Sequence, residues 1–380
     1  MNLTELSLWS QLSASARVLW IADAVAVVGV LLALLSAFAH FRAARGGRPS
    51  SRMGSAAMAA VAGVTVLLGA WSWLRYLEVN HFPSQTMNEV LTMFTLALVA
   101  SMLVLHYALG LHRKSPGWAI LDDVLVLLVL ASVVFTHAHV RGLVTAQRDL
   151  PPALQSYWFP PHLSALIFSY ATLGIAGLVG LVWFTTRFWS GLFQGGFSRR
   201  SQWLVLAGLT LVPFAQVVTI PVLLLSGAVF LVLRLLGRLP QRATVAGLEK
   251  ELDEVSYRAF AVGIPFLTAG LFMGAFWAQE AWANYWGWDS KENTALISWL
   301  VYVVYVHLRM LGGYRGEKAM AVLVGGALSI FITFQIFGYL PDSQKSLHRY
   351  TDDGVAPQEG QQGPLPTEEQ ARAPAAAERR

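Results

Sequence analysis

Apolar residues in this chain come as long unbroken runs rather than as stripes or alternations. Runs near 18–39, 55–74, 90–110, 118–137, 163–185, 260–280, 294–312 and 319–339 are each about twenty residues long. A helix of that length covers the ~30 Å hydrocarbon core of a bilayer. The pattern predicts an all-α, polytopic integral membrane helical bundle with about eight transmembrane helices. A ninth apolar stretch, 203–236, is 34 residues long and holds Pro213 and Pro221 near its middle. It is short for two full crossings, and proline breaks helices. A tight helical hairpin or a re-entrant pair fits it best.

Charge then orients the bundle. Segments 41–52, 111–117, 187–202, 234–258 and 309–318 hold 17 of the 27 Lys and Arg residues. The intervening segments, before 18 and at 75–89, 138–162, 281–293 and 340–349, hold seven. The positive-inside rule puts the basic set in the cytoplasm. Residues 281–293 and the C-terminus then face outward. Both flanks of 203–236 are basic, which is why a hairpin suits it. Residues 1–350 read as one membrane domain with an insertion at 190–245. Residues 351–380, rich in Pro, Gln, Glu and Ala, read as a disordered outer tail.

Composition narrows the chemistry. The 380 residues are 55% hydrophobic and 13% charged, with mean hydropathy +0.52. There is no cysteine, so disulfides, thiolate metal sites and thiol nucleophiles are excluded. The net charge of +5 sits in short loops and encodes topology, not nucleic-acid binding. No cleavable signal is expected, because the start lacks a basic region and carries Glu5. Walker A, Gly-x-Ser-x-Gly and Cys-x-x-Cys-His sequences are all missing.

The densest candidate chemistry is W-A-Q-E-A-W-A-N-Y-W-G-W-D-S-K-E, Trp277 to Glu292. Four tryptophans, a tyrosine and several charges crowd one outward loop, where an ordinary interfacial belt would spread over many helix ends. Such a shelf suits a large flat ligand with polar edges, and a porphyrin is the obvious one. If the segment is helical, Trp282, Trp286 and Asp289 share one face, and Trp288 and Glu292 another. Among nine histidines, His162 opens the fifth span after two prolines, and His348 follows the last span. Both are expected on the outer face, and neutral imidazole is a standard axial ligand of haem iron. His307 lies within the seventh span near the cytoplasmic side, with His106 a weaker in-chain partner for it. His81, His137 and His139 read as loop residues, and His40 and His112 as cytoplasmic interface residues.

At these residues the chain resembles the CcsA (ResC) cytochrome c biogenesis proteins of System II, within the haem-handling proteins that carry a tryptophan-rich WWD domain. The likeness runs in order through R-Y-L-E-V-N-H-F-P-S-Q-T-M-N-E at 75–89 and P-P-A-L-Q-S-Y-W-F-P-P-H at 151–162. It continues through L-D-E-V-S-Y-R at 252–258, the tryptophan segment, and I-S-W-L-V-Y-V-V-Y-V-H-L-R at 297–309. The insertion 190–245 has no counterpart in it. The family's usual W-G-S-Y-W is W-A-N-Y-W here, its W-D-P-K-E is W-D-S-K-E with Ser290 for proline, and its G-L-H-S-Y is S-L-H-R-Y.

The resemblance implies a set of roles. Segment 277–294 would be the WWD haem-binding segment, with Trp277, Trp282, Trp286, Trp288 and Asp289 in it. His162 and His348 would ligate the iron of haem b on the outer face, and His307 would ligate it in transit. A CcsB (ResB)-like membrane protein, an apocytochrome c with Cys-x-x-Cys-His and a thioredoxin-like thiol reductant are the implied partners. The implied location is the inner membrane of a bacterium or a thylakoid-like membrane. The implied activity is that of a holocytochrome c synthase subunit, which attaches haem covalently. Two rivals remain: a CcmC-like haem delivery protein without ligation activity, and a transporter of a non-haem substrate.

Overall fold

The computed structural model describes residues 12–43, 51–110, 116–140, 151–194 and 216–333. Among them are nine α-helices and no strand. They are α1 Ala14–Ala43, α2 Ser51–Val79, α3 Met87–Leu109, α4 Pro116–Val140, α5 Phe159–Gln194, α6 Gln216–Leu235, α7 Arg242–Trp282, α8 Ser290–Met310 and α9 Glu317–Phe331. A 3-10 turn, Pro152–Gln155, precedes α5. Among the described residues all eight apolar runs fall on helices, the last as far as residue 333. Six helices, α1 to α5 and α7, are long and apolar enough to cross a membrane. The chain is an integral membrane protein built as an all-α bundle.

Helices α1 to α4 pack antiparallel, each against its chain neighbour, and α1 also packs on α4. Their shared core is Ala22, Ala26, Val61, Val64, Leu68, Val126 and Leu130. The second half is organised by α5 and α7. These helices have 36 and 41 residues, about 54 and 62 Å at 1.5 Å per residue. They run antiparallel in one constant register. A Cβ at Gly263, Gly270 or Gly274 of α7 would fall 2.7, 2.5 and 2.6 Å from Leu173, Leu166 and His162 of α5. Steps of seven and four along α7 meet equal steps back along α5. Only glycine lets the two backbones approach this closely. At the far end, Arg187 pairs with Glu249 at 3.2 Å.

Helices α8 and α9 complete this half. Arg309 on α8 is buried against Asp253 on α7 at 2.5 Å. It also lies over the Tyr257 ring, 4.7 Å from its centroid. The two halves meet along α3, where Ser101 and Thr172 hydrogen-bond at 2.8 Å. Ala97 packs there with Ile167 and Ala171. The starts of α1, α3, α5 and α8 therefore share one end of the bundle with the ends of α2, α4, α7 and α9. The tryptophan segment lies at that end.

Three expectations need correction. Pro221 does not break its stretch: α6 runs through it from Gln216, and Pro213 lies outside the described residues. Pro221 is the sixth residue of α6, so it removes one interior amide, yet the helix continues through it to Leu235. His137 and His139 are not loop residues but the last turn of α4. His40, read as a cytoplasmic interface residue, lies in the last turn of α1. It is buried on α1, with Nδ1 2.7 Å from Asp123. Likewise His106 is paired with Asp122 at 2.8 Å rather than with His307.

Candidate functional site

The site begins where α5 starts. Pro160 and Pro161 occupy the first turn of α5 rather than preceding it, where missing amides cost nothing. They place His162 at the fourth position of the helix. Its Nδ1 lies 2.8 Å from the carbonyl oxygen of Gly270 on α7. A carbonyl only accepts, so Nδ1 carries the proton and Nε2 carries the lone pair. This is the tautomer-fixing arrangement found behind metal-bound imidazoles. The ring stacks on Trp277, with centroids 5.4 Å apart and planes 26° apart. Gly274 leaves the space the ring occupies: a Cβ there would stand 2.6 Å from His162 Cε1.

Trp277 is the anchor of this corner. It is 2% exposed, and its indole N–H donates to Ala153 O at 2.7 Å. Phe159 lies 5.1 Å from it and Trp282 4.9 Å. Ser156 donates to Glu280 at 2.5 Å, tying the segment before α5 to the last turn of α7. Trp158 packs on Phe276 at 4.9 Å. So the histidine, the 3-10 turn and the end of α7 form one fixed unit.

Beyond Trp282 the helix stops, which corrects the helical-face expectation. Ala283 caps it at φ +54°, and residues 283–289 form a loop. Trp282, Trp286 and Asp289 therefore share no helical face. Asp289 is the N-cap of α8, accepting from Lys291 N at 2.8 Å. Glu292 reaches back to the amides of Gly287 and Asp289, at 2.8 and 3.2 Å. Asn293 donates to Trp288 O at 2.9 Å. This is a capping box extended over the loop. The polar side chains hold the loop's backbone, and the aromatic rings stay available. Trp288, at φ +57°, is 71% exposed. It meets Trp286 edge-on at 6.2 Å. The Trp286 indole N–H is buried without a hydrogen-bond partner. A flat ligand with an anionic edge would satisfy it.

The departures from the family motif now have physical meanings. Ala283 stands in the left-handed region at the position where the motif has glycine. An L side chain there costs roughly 1 kcal/mol. Ser290 stands at the first helical position, where proline is favoured. Asp289, at φ −61° and ψ 150°, already has a backbone that tolerates a following proline. Ala283→Gly is expected to stabilise the protein by about 1 kcal/mol and Ser290→Pro by a further ~0.5 kcal/mol. Thermal unfolding in detergent measures both. A lower midpoint for Ala283→Gly would contradict the assigned loop geometry.

His307 is not part of this cluster. It lies in the last turns of α8, 17 residues beyond Ser290, about 25 Å along the helix. Its Nδ1 donates to Val303 O at 2.7 Å, which leaves the lone pair on Nε2. The ring is exposed on the bundle surface. His348 lies outside the described residues. Sequence reasoning missed Gly270 and Gly274, although a Gly-x-x-x-Gly step next to an aromatic cluster is a readable sign of close helix approach.

Fold and site together define a polytopic helical membrane protein with an oriented histidine seated on an aromatic shelf at one face. The family model described as cytochrome C assembly protein matches residues 89–341, and the chain belongs to that family. It is 31% identical over 347 residues to the cytochrome c biogenesis protein CcsA of Synechocystis sp., covering 84% of this chain and 94% of the relative. It is 30% identical to the CcsA proteins of Microcystis aeruginosa and Gloeobacter violaceus. Those matches cover 76% and 78% of this chain, and 83% and 85% of the relatives. Its role is in cytochrome c maturation.

Proposed function

We propose that the protein is the haem-handling subunit of a cytochrome c synthase, presenting haem b on the outer face for thioether attachment to apocytochrome c. The observation that carries this reading is His162. Its ring is stacked on Trp277, and its tautomer is set by Gly270 O. Among the described residues, Arg42, Arg187, Arg242 and Arg309 lie toward the end of the bundle opposite the tryptophan segment. The positive-inside rule then makes the tryptophan end the outer one, in a bacterial inner membrane or a thylakoid-like membrane.

In this reading Trp277 and Gly274 position His162. Trp288 and Trp286 offer a ring face and an N–H, while Asp289, Glu292 and Asn293 hold the loop. His348 supplies the second imidazole. Two imidazole ligands keep oxygen off the iron while the substrate waits. Haem supplies its own reactive vinyl groups, and the client's Cys-x-x-Cys-His supplies the thiols. A thioredoxin-like reductant keeps those thiols reduced. His307, exposed on the surface of a membrane helix, suits a haem in transit between this chain and a CcsB-like partner.

The test is a maturation assay in cells lacking their own haem-attachment system, with the partner and an apocytochrome c supplied. His162→Ala and His307→Ala should each lower covalent holocytochrome c at least roughly tenfold. Full maturation with both variants would overturn the proposal.

A further inference from the structure

Helix α8 is polar on its buried face and apolar on its exposed one. Its inner stripe is Ser298, Tyr302, Tyr305 and Arg309, all buried. Its outer stripe is Ile297, Leu300, Val304 and Leu311, all exposed, with His307 among them. A membrane helix that turns its polar side inward meets polar groups or water there. Protein groups account for the two ends of the stripe. Ser298 donates to Thr294 O at 3.0 Å, and Arg309 Nη1 donates to Asp253 at 2.5 Å. Between them the hydroxyls of Tyr302 and Tyr305 are buried without a hydrogen-bond partner among the described residues. So are Trp183 Nε1, Ser256 Oγ and Arg309 Nη2. Arg309 Nη2 stands 3.7 Å from Glu254 Oε2, an ion-pair distance too long for a hydrogen bond.

These atoms fall in one layer, about two helical turns deep. The Phe260 ring of α7 lies 5.8 Å from Tyr302 and 4.6 Å from Tyr305. The Tyr305 hydroxyl is within reach of the Arg309 and Asp253 charges, and that of Tyr302 is within reach of Tyr170 on α5. The register that sets Gly263 against Leu173 and Arg187 against Glu249 sets Trp183 level with Asp253, and Ser256 level with Gly180. Gly180 in turn faces Val324 and Met320 of α9. Trp183 borders Gly316, whose amide donates to Asp253. Helices α5, α7, α8 and α9 therefore enclose the layer. A buried polar group without a partner forfeits the bonds it makes to water in the unfolded chain. Several such groups in one layer are more than a marginally stable fold carries unless something binds them.

We propose that this layer is an internal water-binding site, held by Trp183, Ser256, Tyr302, Tyr305 and Arg309. The ligand has to accept from the two N–H groups and exchange hydrogen bonds with the three hydroxyls. Water does both. An anion would also accept, but Arg309 is already matched by Asp253, with Glu254 beside it. A further negative charge would be buried without a counter-ion. The site lies behind His307, on the same two turns of α8. In the reading that His307 meets haem in transit, water dipoles behind it would stabilise the charged iron and propionates against an otherwise apolar helix surface. The water site itself does not rest on that reading.

The experiment is hydroxyl-radical footprinting by X-ray radiolysis of the full chain in lipid nanodiscs, read residue by residue by mass spectrometry. Radiolysis turns bound water into radicals that oxidise the side chains around it. Tyr302, Tyr305 and Trp183 are 0%, 0% and 1% exposed. They should nonetheless oxidise faster with dose than Met102, which is 1% exposed in the core of the other half and carries the more reactive thioether. The double variant Tyr302→Phe with Tyr305→Phe should slow oxidation of Trp183 and lower the thermal unfolding midpoint, because it removes bonds to water. In a dry core the same change would relieve two stranded hydroxyls and raise the midpoint. Oxidation of the three residues no faster than that of Met102 would overturn the proposal, and so would a raised midpoint. If the double variant does not fold, the footprint of the unaltered chain still decides. Neither readout needs haem, so a failed haem reading leaves this one standing.

Discussion

Gly274→Ala is expected to strip haem from the protein as thoroughly as removal of His162 itself. The added methyl would stand 2.6 Å from Cε1 and 2.8 Å from Nδ1 of the imidazole. The ring has no easy retreat. Its Nδ1–H is bonded to Gly270 O, and its face rests on Trp277, whose own N–H is fixed to Ala153 O. Backing away breaks the bond that fixes the tautomer, and staying forces α5 and α7 apart. A ligand misplaced by an ångström loses much of its worth. Haem retained after purification should fall at least roughly tenfold, about 1.4 kcal/mol or more. Gly247→Ala is the matched control. It lies on the same helix with nothing within 4 Å of an added Cβ. It should retain haem and stabilise the helix by ~0.5–1 kcal/mol. Equal haem content in Gly274→Ala and the control would show that His162 does not hold haem in the geometry described.

Arg309→Met should destabilise the fold by about 3–5 kcal/mol, the largest effect expected at any single ion pair here. Both side chains are 4% exposed, and they meet at 2.5 Å. Removing the guanidinium strands the buried Asp253 carboxylate, which also accepts from Gly316 N–H at 3.0 Å. The pair joins α7 to α8, alongside the Phe260 ring 4.6 Å from Tyr305 and Trp299 donating to Thr268 at 3.1 Å. His307 lies two residues before Arg309, so the lock also fixes the histidine proposed to meet haem in transit. The double variant Asp253→Asn with Arg309→Met should recover much of the loss, because no charge is left stranded. Thermal unfolding of the single and double variants reads this out. A shift worth less than ~0.5 kcal/mol in the single variant would mean that the pair is not buried as described.

The spans were legible because membrane helices announce themselves by length alone. Among the described residues every run from 18–39 onward falls on a helix, and α8 was readable despite Lys291, Glu292 and His307. The stop at Trp282 was harder. Aromatic residues continue across it without a change in composition, and Ala283 holds the position where glycine would have signalled a cap. The capping box at Asp289 and Glu292 was the readable sign, and it places the start of α8 correctly. The histidine–aspartate pairs were half legible. Asp23, Asp122 and Asp123 stand out inside apolar runs, which calls for partners. Those partners lie 114, 16 and 83 positions away, so only tertiary packing could name them. The same holds for His162. Its prolines and its face were readable, but Gly270 O, which sets its tautomer, is 108 positions away.

His162 is proposed to ligate haem on the tryptophan shelf. The most direct test is the absorption spectrum, with pyridine haemochrome quantitation, of the chain purified with its partner from haem-replete membranes. The wild-type protein should show a six-coordinate bis-histidine haem. His162→Ala should lose that signature, and added imidazole should restore it by filling the vacated ligand position. An unchanged spectrum in His162→Ala would contradict the claim.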